Sequence, residues 1–237
     1  MFILGDAIEV MSSFDDNSFD AVVTSPPYNI GIDYGSIVSD NLSQDDYNEF
    51  TERWIKEALR VSKICVVNFG GPTSKPMNVA NFMLSASKSG VVQQDIIWAK
   101  SISTEDFSIG HFKPVNSERF ITNLYEHIFL ISRDGKFKID RLSIGVPFQD
   151  KSNISRFQSN KGDVRCRGNI WLLPYKTRTK KLDHPATYPV ELAEMMIKLV
   201  DPLSVLDPFC GVGTTGLACE NLGISYTGID KVEWAQT

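Results

Sequence analysis

The chain has 237 residues, 42% hydrophobic and 22% charged, with a formal net charge of −5. That composition supports one packed α/β domain and excludes a disordered chain. No run of about 18 apolar residues occurs, which excludes a membrane-spanning helix, and the opening MFILGDAIEV carries Asp6 and Glu9 with no basic region, unlike a signal peptide.

The predicted elements run as follows. A first strand, FILG at 2–5, leads into Gly5-Asp6-Ala7. A second, AVVT at 21–24, runs directly into TSPPYN, Thr24 to Asn29. Two adjacent prolines cannot continue a ladder or start a regular helical turn, so the backbone leaves the sheet as a stiff hook. Pro26 and Pro27 have no N–H, so the hook presents carbonyl oxygens without neighbouring donors. Ser25 adds a hydroxyl and Tyr28 a flat face. Such a site would stack on a planar group and accept hydrogen bonds from an amine. Residues 29–43 are rich in Gly, Ser and Asp and fit no regular element; loops of that length often serve as lids.

A helix is expected over 43–62, capped by Ser43 with Asp46. Its stripe of Tyr47, Phe50, Trp54, Ala58 and Val61 reads as an ordinary core face. Strands follow at CVVNFG (65–70), DIIWAK (95–100) and EHIFLIS (126–132). Residues 140–181 form a second irregular segment. Within it, 151–181 hold nine basic residues and one acidic residue, Asp163, a net +8 against −13 for the rest of the chain. A local concentration of this kind can bind a polyanion on an otherwise acidic body. A helix then starts at Pro189 with a stripe of Leu192, Ala193, Met196, Ile197 and Val200. The last elements are the strand SVLDPF (204–209), a helix over about 213–222 stopped by Gly223, and the strand YTGID (226–230).

The four cysteines, Cys65, Cys166, Cys210 and Cys219, have no C-x-x-C spacing. They read as reduced cytosolic thiols, with no zinc site and no disulfide framework. Strands alternating with helices predict a mostly parallel sheet covered on both faces.

DPFCGVGTTG (207–216) contains G-x-G-x-x-G, with Asp230 fourteen positions beyond Gly216. That is the outline of a dinucleotide loop, but such a loop normally opens its fold, and only 21 residues follow Gly216 here. NAD is disfavoured because no second mononucleotide half follows and because a dehydrogenase has no use for the proline hook.

TSPPYN (24–29), HPATYP (184–189) and DPFCGVGTT (207–215), in this order, resemble the beta-class DNA amino-methyltransferases. These use S-adenosylmethionine to methylate N4 of cytosine or N6 of adenine. The resemblance spans nearly the whole chain, from GDA at 5–7 to GID at 228–230. It implies a circularly permuted Rossmann-like methyltransferase fold: a seven-stranded, mostly parallel sheet with one antiparallel strand and helices on both faces. The glycine loop is late because the chain starts partway through the sheet. SVLDPF and AVVT would then be neighbours at the switch point, with their loops converging.

The resemblance also assigns residues. Ser25, Pro26, Pro27 and Tyr28 would be catalytic. Asp207, Phe209, Gly211, Gly213, Thr214 and Thr215 would hold the methionine end of the cofactor, with His184, Pro185 and Thr187 opposite. Asp230 would take the ribose hydroxyls and Asp6 the adenine amino group. Lys151, Arg156, Lys161, Arg165, Arg167 and Arg178 would contact double-stranded DNA around a flipped base. A single catalytic domain over 1–237 is expected, with a small basic target-recognition insertion at about 133–181. A homodimer, a cognate restriction endonuclease and a cytoplasmic setting in a prokaryotic or phage-infected cell go with the family. The helix expected after the Asp230 strand is barely begun at Thr237, so a partner copy or further residues would cover that strand.

Ser at the first hook position goes with cytosine N4 in this family and Asp with adenine N6. Ser25 therefore points to cytosine, with adenine as the alternative. A protein-glutamine or RNA methyltransferase would carry Asn first in its hook and the glycine loop ahead of it; neither is found here. A DNA-binding module with an empty cofactor loop is the competing reading from another class.

Overall fold

The computed structural model describes residues 1–32, 40–110, 115–156, 162–174 and 188–234. The first half of the chain gives strand β1 (Phe2–Leu4), helix α1 (Ala7–Ser12), β2 (Ala21–Thr24), α2 (Gln44–Val61), β3 (Ile64–Phe69), α3 (Met77–Ala86) and β4 (Val91–Ala99). A small hairpin, β5 (Ile102–Ser103) and β6 (Ser108–Ile109), precedes β7 (Tyr125–Ser132). After a 3-10 turn at Lys151–Arg156 come β8 (Ile170–Leu172), α4 (Val190–Val200), β9 (Ser204–Asp207), α5 (Thr214–Leu222) and β10 (Ser225–Asp230).

The main sheet has the order β1-β10-β9-β2-β3-β7-β4-β8. Only β7 runs antiparallel, to both β3 and β4; every other pairing is parallel. Among the described residues the sheet has eight strands where seven were expected. The extra one, β8, lies in the basic segment and pairs with β4 through Trp98↔Trp171. Three residues are too few to show a period, but Trp171 is 1% exposed and anchors the edge.

Strand residues alternate between two cores, as the pleat requires. Ala21 and Val23, Ile64 and Val66, and Ile128 and Leu130 face one side, where α4 and α5 supply Leu192, Ala193, Met196, Ile197, Ala218 and Cys219. Val22, Cys65, Val67, Phe129 and Ile131 face the other, where α1, α2 and α3 supply Met11, Tyr47, Trp54, Ala58 and Phe82. Both faces are buried, which is why the central strands read as continuous apolar runs.

The permutation is visible in the pairing. β2 lies beside β9, with Ala21 opposite Val205 and Val22 opposite Leu206. The chain crosses from β9 through α5 to β10 on one side and from β2 through α2 to β3 on the other. The β2–β9 pair is therefore the switch point, and a crevice opens beyond the carboxyl ends of these two strands.

Candidate active site

The hook follows β2 and the glycine loop follows β9, and both line one cleft of about 910 Å³. Ser25, Pro26, Pro27 and Tyr28 from the hook line it, together with Asp207, Phe209, Gly211, Thr214 and Asp230 from the β9–β10 end of the sheet and Asp6 after β1.

Asp207 joins the two sides. It is 2% exposed and accepts from Thr24 Oγ1 at 2.6 Å, from the Phe209 N–H at 3.1 Å and from the Thr215 hydroxyl. Thr215 Oγ1 is in turn 2.5 Å from the Tyr188 hydroxyl, which brings in the residue just before α4. Burial pushes the Asp207 carboxyl up to about 6; the three hydrogen bonds offset part of that cost.

The glycine loop turns on two positive backbone angles, φ +50° at Gly211 and +85° at Gly213, where Gly213 caps α5. A side chain would be strained at either position. The resulting turn points the free N–H groups of the first α5 turn at the crevice. Gly216 serves packing: a Cβ there would come within 2.7 Å of the Tyr226 ring. Asp230 accepts from the Gly211 N–H at 2.8 Å and from the Val232 N–H at 3.0 Å, one bond per oxygen. A second lone pair is left on each oxygen. Phe209 packs edge-on against Trp54 at 5.4 Å and Phe50 at 5.9 Å.

Asp6 lines the cleft and is also engaged within the fold. It caps α1, accepting from the Ile8 and Glu9 N–H groups at 2.9 and 3.1 Å, and pairs with Lys231 at 2.8 Å. Burial raises its carboxyl, but the Lys231 hydrogen bond and the two N–H bonds outweigh that and hold it below the usual range.

The hook is held at several points. Tyr47 donates to the Pro27 carbonyl at 2.6 Å, and Asn78 donates to the Tyr28 carbonyl at 3.0 Å. The expectation of undonated carbonyls therefore fails at Pro27; among the described residues no group donates to the Pro26 carbonyl. Ser25 Oγ lies 2.9 Å from the Tyr28 hydroxyl, whose ring packs on Phe69 at 4.8 Å. Past the hook, Asp40 accepts from the N–H groups of Asn29, Ile30 and Ile32 at 2.7, 3.1 and 2.9 Å. Asn29 also exchanges two bonds with the Leu42 backbone. The irregular segment is thus pinned at its base, with its two ends together.

Several of these contributors were not legible as site residues. Tyr47 and Phe50 belong to a stripe read as plain core, yet both line the cleft. Lys100, Phe120, Thr122, Asn123 and Tyr125 line it too, from a stretch that carried no expected function. About two dozen residues without a regular period, between DIIWAK and EHIFLIS, were the available signal.

None of the described residues of the basic segment lines the cleft. Arg165 is exposed and bridges Val146 through its backbone; Arg167 donates to the Ile144 carbonyl at 2.9 Å. Lys151 is paired with Asp163 at 2.5 Å, and Arg156 lies exposed on the 3-10 turn. Lys161, Arg178, His184, Pro185 and Thr187 lie outside the described residues. No described helix is long and apolar enough to cross a membrane.

A profile of the DNA methylase family matches residues 19–235. Type II methyltransferase M.HpaI of Haemophilus parainfluenzae is 28% identical over 239 residues, covering 96% of this chain and 69% of that protein. Among solved structures, PvuII DNA methyltransferase (cytosine-N4-specific) has a similar fold, with a TM-score of 0.71 at 19% identity, over 98% of this chain and 81% of that one. TTHA0409 of Thermus thermophilus, complexed with S-adenosyl-L-methionine, gives a TM-score of 0.60 at 24% identity over 98% and 87% of the two chains. With a profile match over most of its length and a proline hook ahead of its glycine loop, the chain belongs to the DNA methylase family, as one of its beta-class amino-methyltransferases.

Proposed function

We propose that this DNA amino-methyltransferase transfers the methyl group of S-adenosylmethionine to the N4 amine of cytosine in double-stranded DNA. One observation carries the reading: the Ser25–Tyr28 hook and the Phe209–Gly211 loop share a single cleft of about 910 Å³. That is room for a nucleoside cofactor beside an extruded base.

The residues of the loop side fit the cofactor. The turn at Gly211 and Gly213 lets the backbone approach closely, and the α5 N-terminus favours the methionine carboxylate. The spare lone pairs of Asp230 suit ribose hydroxyls. His184, Pro185 and Thr187 are assigned by resemblance to the methionine end. When bound, S-adenosylmethionine supplies an electrophilic methyl on a sulfonium centre, as the ligand of TTHA0409 would.

The hook side fits an exocyclic amine, which is a poor nucleophile because its lone pair is delocalised into the ring. Ser25 Oγ and the Pro26 carbonyl accept its two N–H bonds out of the ring plane and draw the nitrogen towards tetrahedral geometry. Their work is positioning and fixed dipoles, and the proton shed by the methylated amine passes to solvent. Tyr28 offers a face for stacking. Residues 133–181 act as the target-recognition element, with Arg165 and Arg167 towards the DNA. The choice of cytosine rests on Ser25; the PvuII enzyme, at 19% identity, lends its fold and nothing more.

The test is product identity. Mixed-sequence duplex DNA incubated with the protein and methyl-labelled cofactor, then digested to nucleosides, should yield N4-methylcytosine by mass. N6-methyladenine would move the target to adenine, and no incorporated label would overturn the enzyme reading.

A further inference from the structure

The Tyr28 hydroxyl has one hydrogen and several neighbours. Besides Ser25 Oγ at 2.9 Å, it reaches Asn68 Oδ1 at 3.1 Å, Glu126 Oε2 at 3.2 Å and the Asn68 carbonyl at 3.4 Å. The last three can only accept. Asn68 turns its Oδ1 towards Tyr28 because its Nδ2 donates to the His127 carbonyl at 3.2 Å. Glu126 holds its place through Lys100, whose Nζ donates to Oε1 at 2.9 Å. The Tyr28 hydrogen therefore goes to the Asn68–Glu126 side, and its oxygen is left to accept from Ser25. The Ser25 hydrogen is committed to Tyr28, and the lone pairs of Ser25 Oγ are what the cleft sees.

We propose that Glu126, held by Lys100, is a positioning residue that sets the hydrogen polarity of the Ser25–Tyr28 pair, so that Ser25 can accept from an incoming base but not donate to it. This rests on the reading of Ser25 as an amine acceptor and deepens it. A base edge bearing an amine is admitted, and one bearing a carbonyl in the same place meets lone pairs. The discrimination is built two residues away from the one that touches the base. It lies in a strand-end carboxylate whose effect on the acceptor runs through Tyr28.

The test uses full-length protein with three substitutions. In Glu126→Gln, Lys100 attracts the amide oxygen and turns the amide N–H₂ towards Tyr28, which then competes with Ser25 for the Tyr28 lone pairs. The turnover number should fall by about 10- to 100-fold, on the scale of the penalty for a mismatched, partly buried polar pair, with cofactor affinity retained. Lys100→Met should lose less, because Glu126 remains an acceptor. In the double variant Lys100→Met/Glu126→Gln the amide is free to turn its oxygen back to Tyr28, and activity should recover towards that of Lys100→Met. A merely structural role for Glu126 predicts no such rescue. The ¹³Cζ resonance of labelled Tyr28 reads the same polarity without turnover: donation in the wild type, altered in Glu126→Gln and restored in the double variant. Wild-type turnover in Glu126→Gln, a double variant no better than Glu126→Gln, or an unmoved resonance would each overturn the proposal. An inactive wild type with the expected resonances would count against the amine reading alone.

Discussion

Thr24, the last residue of β2, donates its hydroxyl hydrogen to Asp207, the last residue of β9, at 2.6 Å. The hook starts one residue after the first and the glycine loop one residue after the second. This buried bond therefore fixes the relative position of the two halves of the site, although 183 residues separate its ends. Thr24→Val keeps the shape and removes the donor. Stability should fall by about 1.5–3 kcal/mol, the range for a hydrogen bond to a charged group, seen as a lower midpoint in denaturant. Cofactor affinity should fall with it, because Asp207, which also anchors the Phe209 turn, is then held by one bond fewer.

Asp207 also makes stability depend on pH. Its carboxyl is raised to about 6 in the fold, against an ordinary value of 3.8. The folded state thus holds the proton more tightly than the unfolded chain. The resulting stabilisation is full below about 3.8 and lost as pH rises through about 6. Between pH 5 and 7.5 the loss comes to roughly 1.4 kcal/mol by linkage. Asp207→Asn does not titrate. The stability of the wild type relative to Asp207→Asn, measured in urea without cofactor, should be greater at pH 5 than at pH 7.5 by about that amount. An equal difference at both values would mean that Asp207 is charged throughout.

At the far end of the hook, Asp40 gathers three backbone N–H groups and is 4% exposed. Asp40→Asn replaces one acceptor oxygen with a donor that faces N–H groups. The base of the 29–43 segment should loosen at a cost of about 1–3 kcal/mol. Loops of this length often serve as lids, which is the role read for this segment from the sequence. KM for DNA should therefore rise while cofactor affinity, measured by calorimetry, holds.

What the sequence made legible follows from length and period. β2, β3 and β9 are buried on both faces and read as apolar runs; α2 and α5 carry their start and stop signals in Ser43 and Gly223. The site's two halves were legible because prolines and glycines in those patterns restrict the backbone directly. α3 was missed because two of its buried positions are Asn78 and Ser85, which break the apolar stripe. α1, with six residues, and β8, with three, are too short for a period to emerge. The local position of Asp6, just ahead of a helix, also fits an N-cap, a role the sequence reading did not assign to it. Tyr47 shows the opposite limit. Its ring sits where the helical stripe says, and nothing in the stripe reveals that its hydroxyl ends on Pro27.

Ser25→Ala removes the acceptor proposed for the amine and leaves Pro26, the glycine loop and the Asp207 junction in place. A preorganised group of this kind is worth about 10²–10³ in turnover when removed. The turnover number should drop by that factor in a single-turnover assay, with cofactor affinity and thermal midpoint held. A variant that retains the wild-type rate would remove Ser25 from the chemistry.

Two arginines in the basic segment separate its roles. Arg165 is exposed, and among the described residues only its backbone is engaged, in the bridge to Val146. Arg167 spends its Nε–H on the Ile144 carbonyl, so part of its work is holding the segment together. If the segment tracks phosphates, Arg165→Glu should weaken DNA binding and lower the slope of log K against log salt by about 0.9, the value for one phosphate no longer neutralised. Its thermal midpoint should not change. Arg167→Glu should do both: lower the slope and lower the midpoint, because the Ile144 carbonyl loses its donor. Fluorescence anisotropy with duplex DNA at several salt concentrations, beside thermal melts, distinguishes the two. Equal slopes in wild type and Arg165→Glu would place the DNA elsewhere, and the residues lining the cleft between Lys100 and Tyr125 would be the next surface to probe.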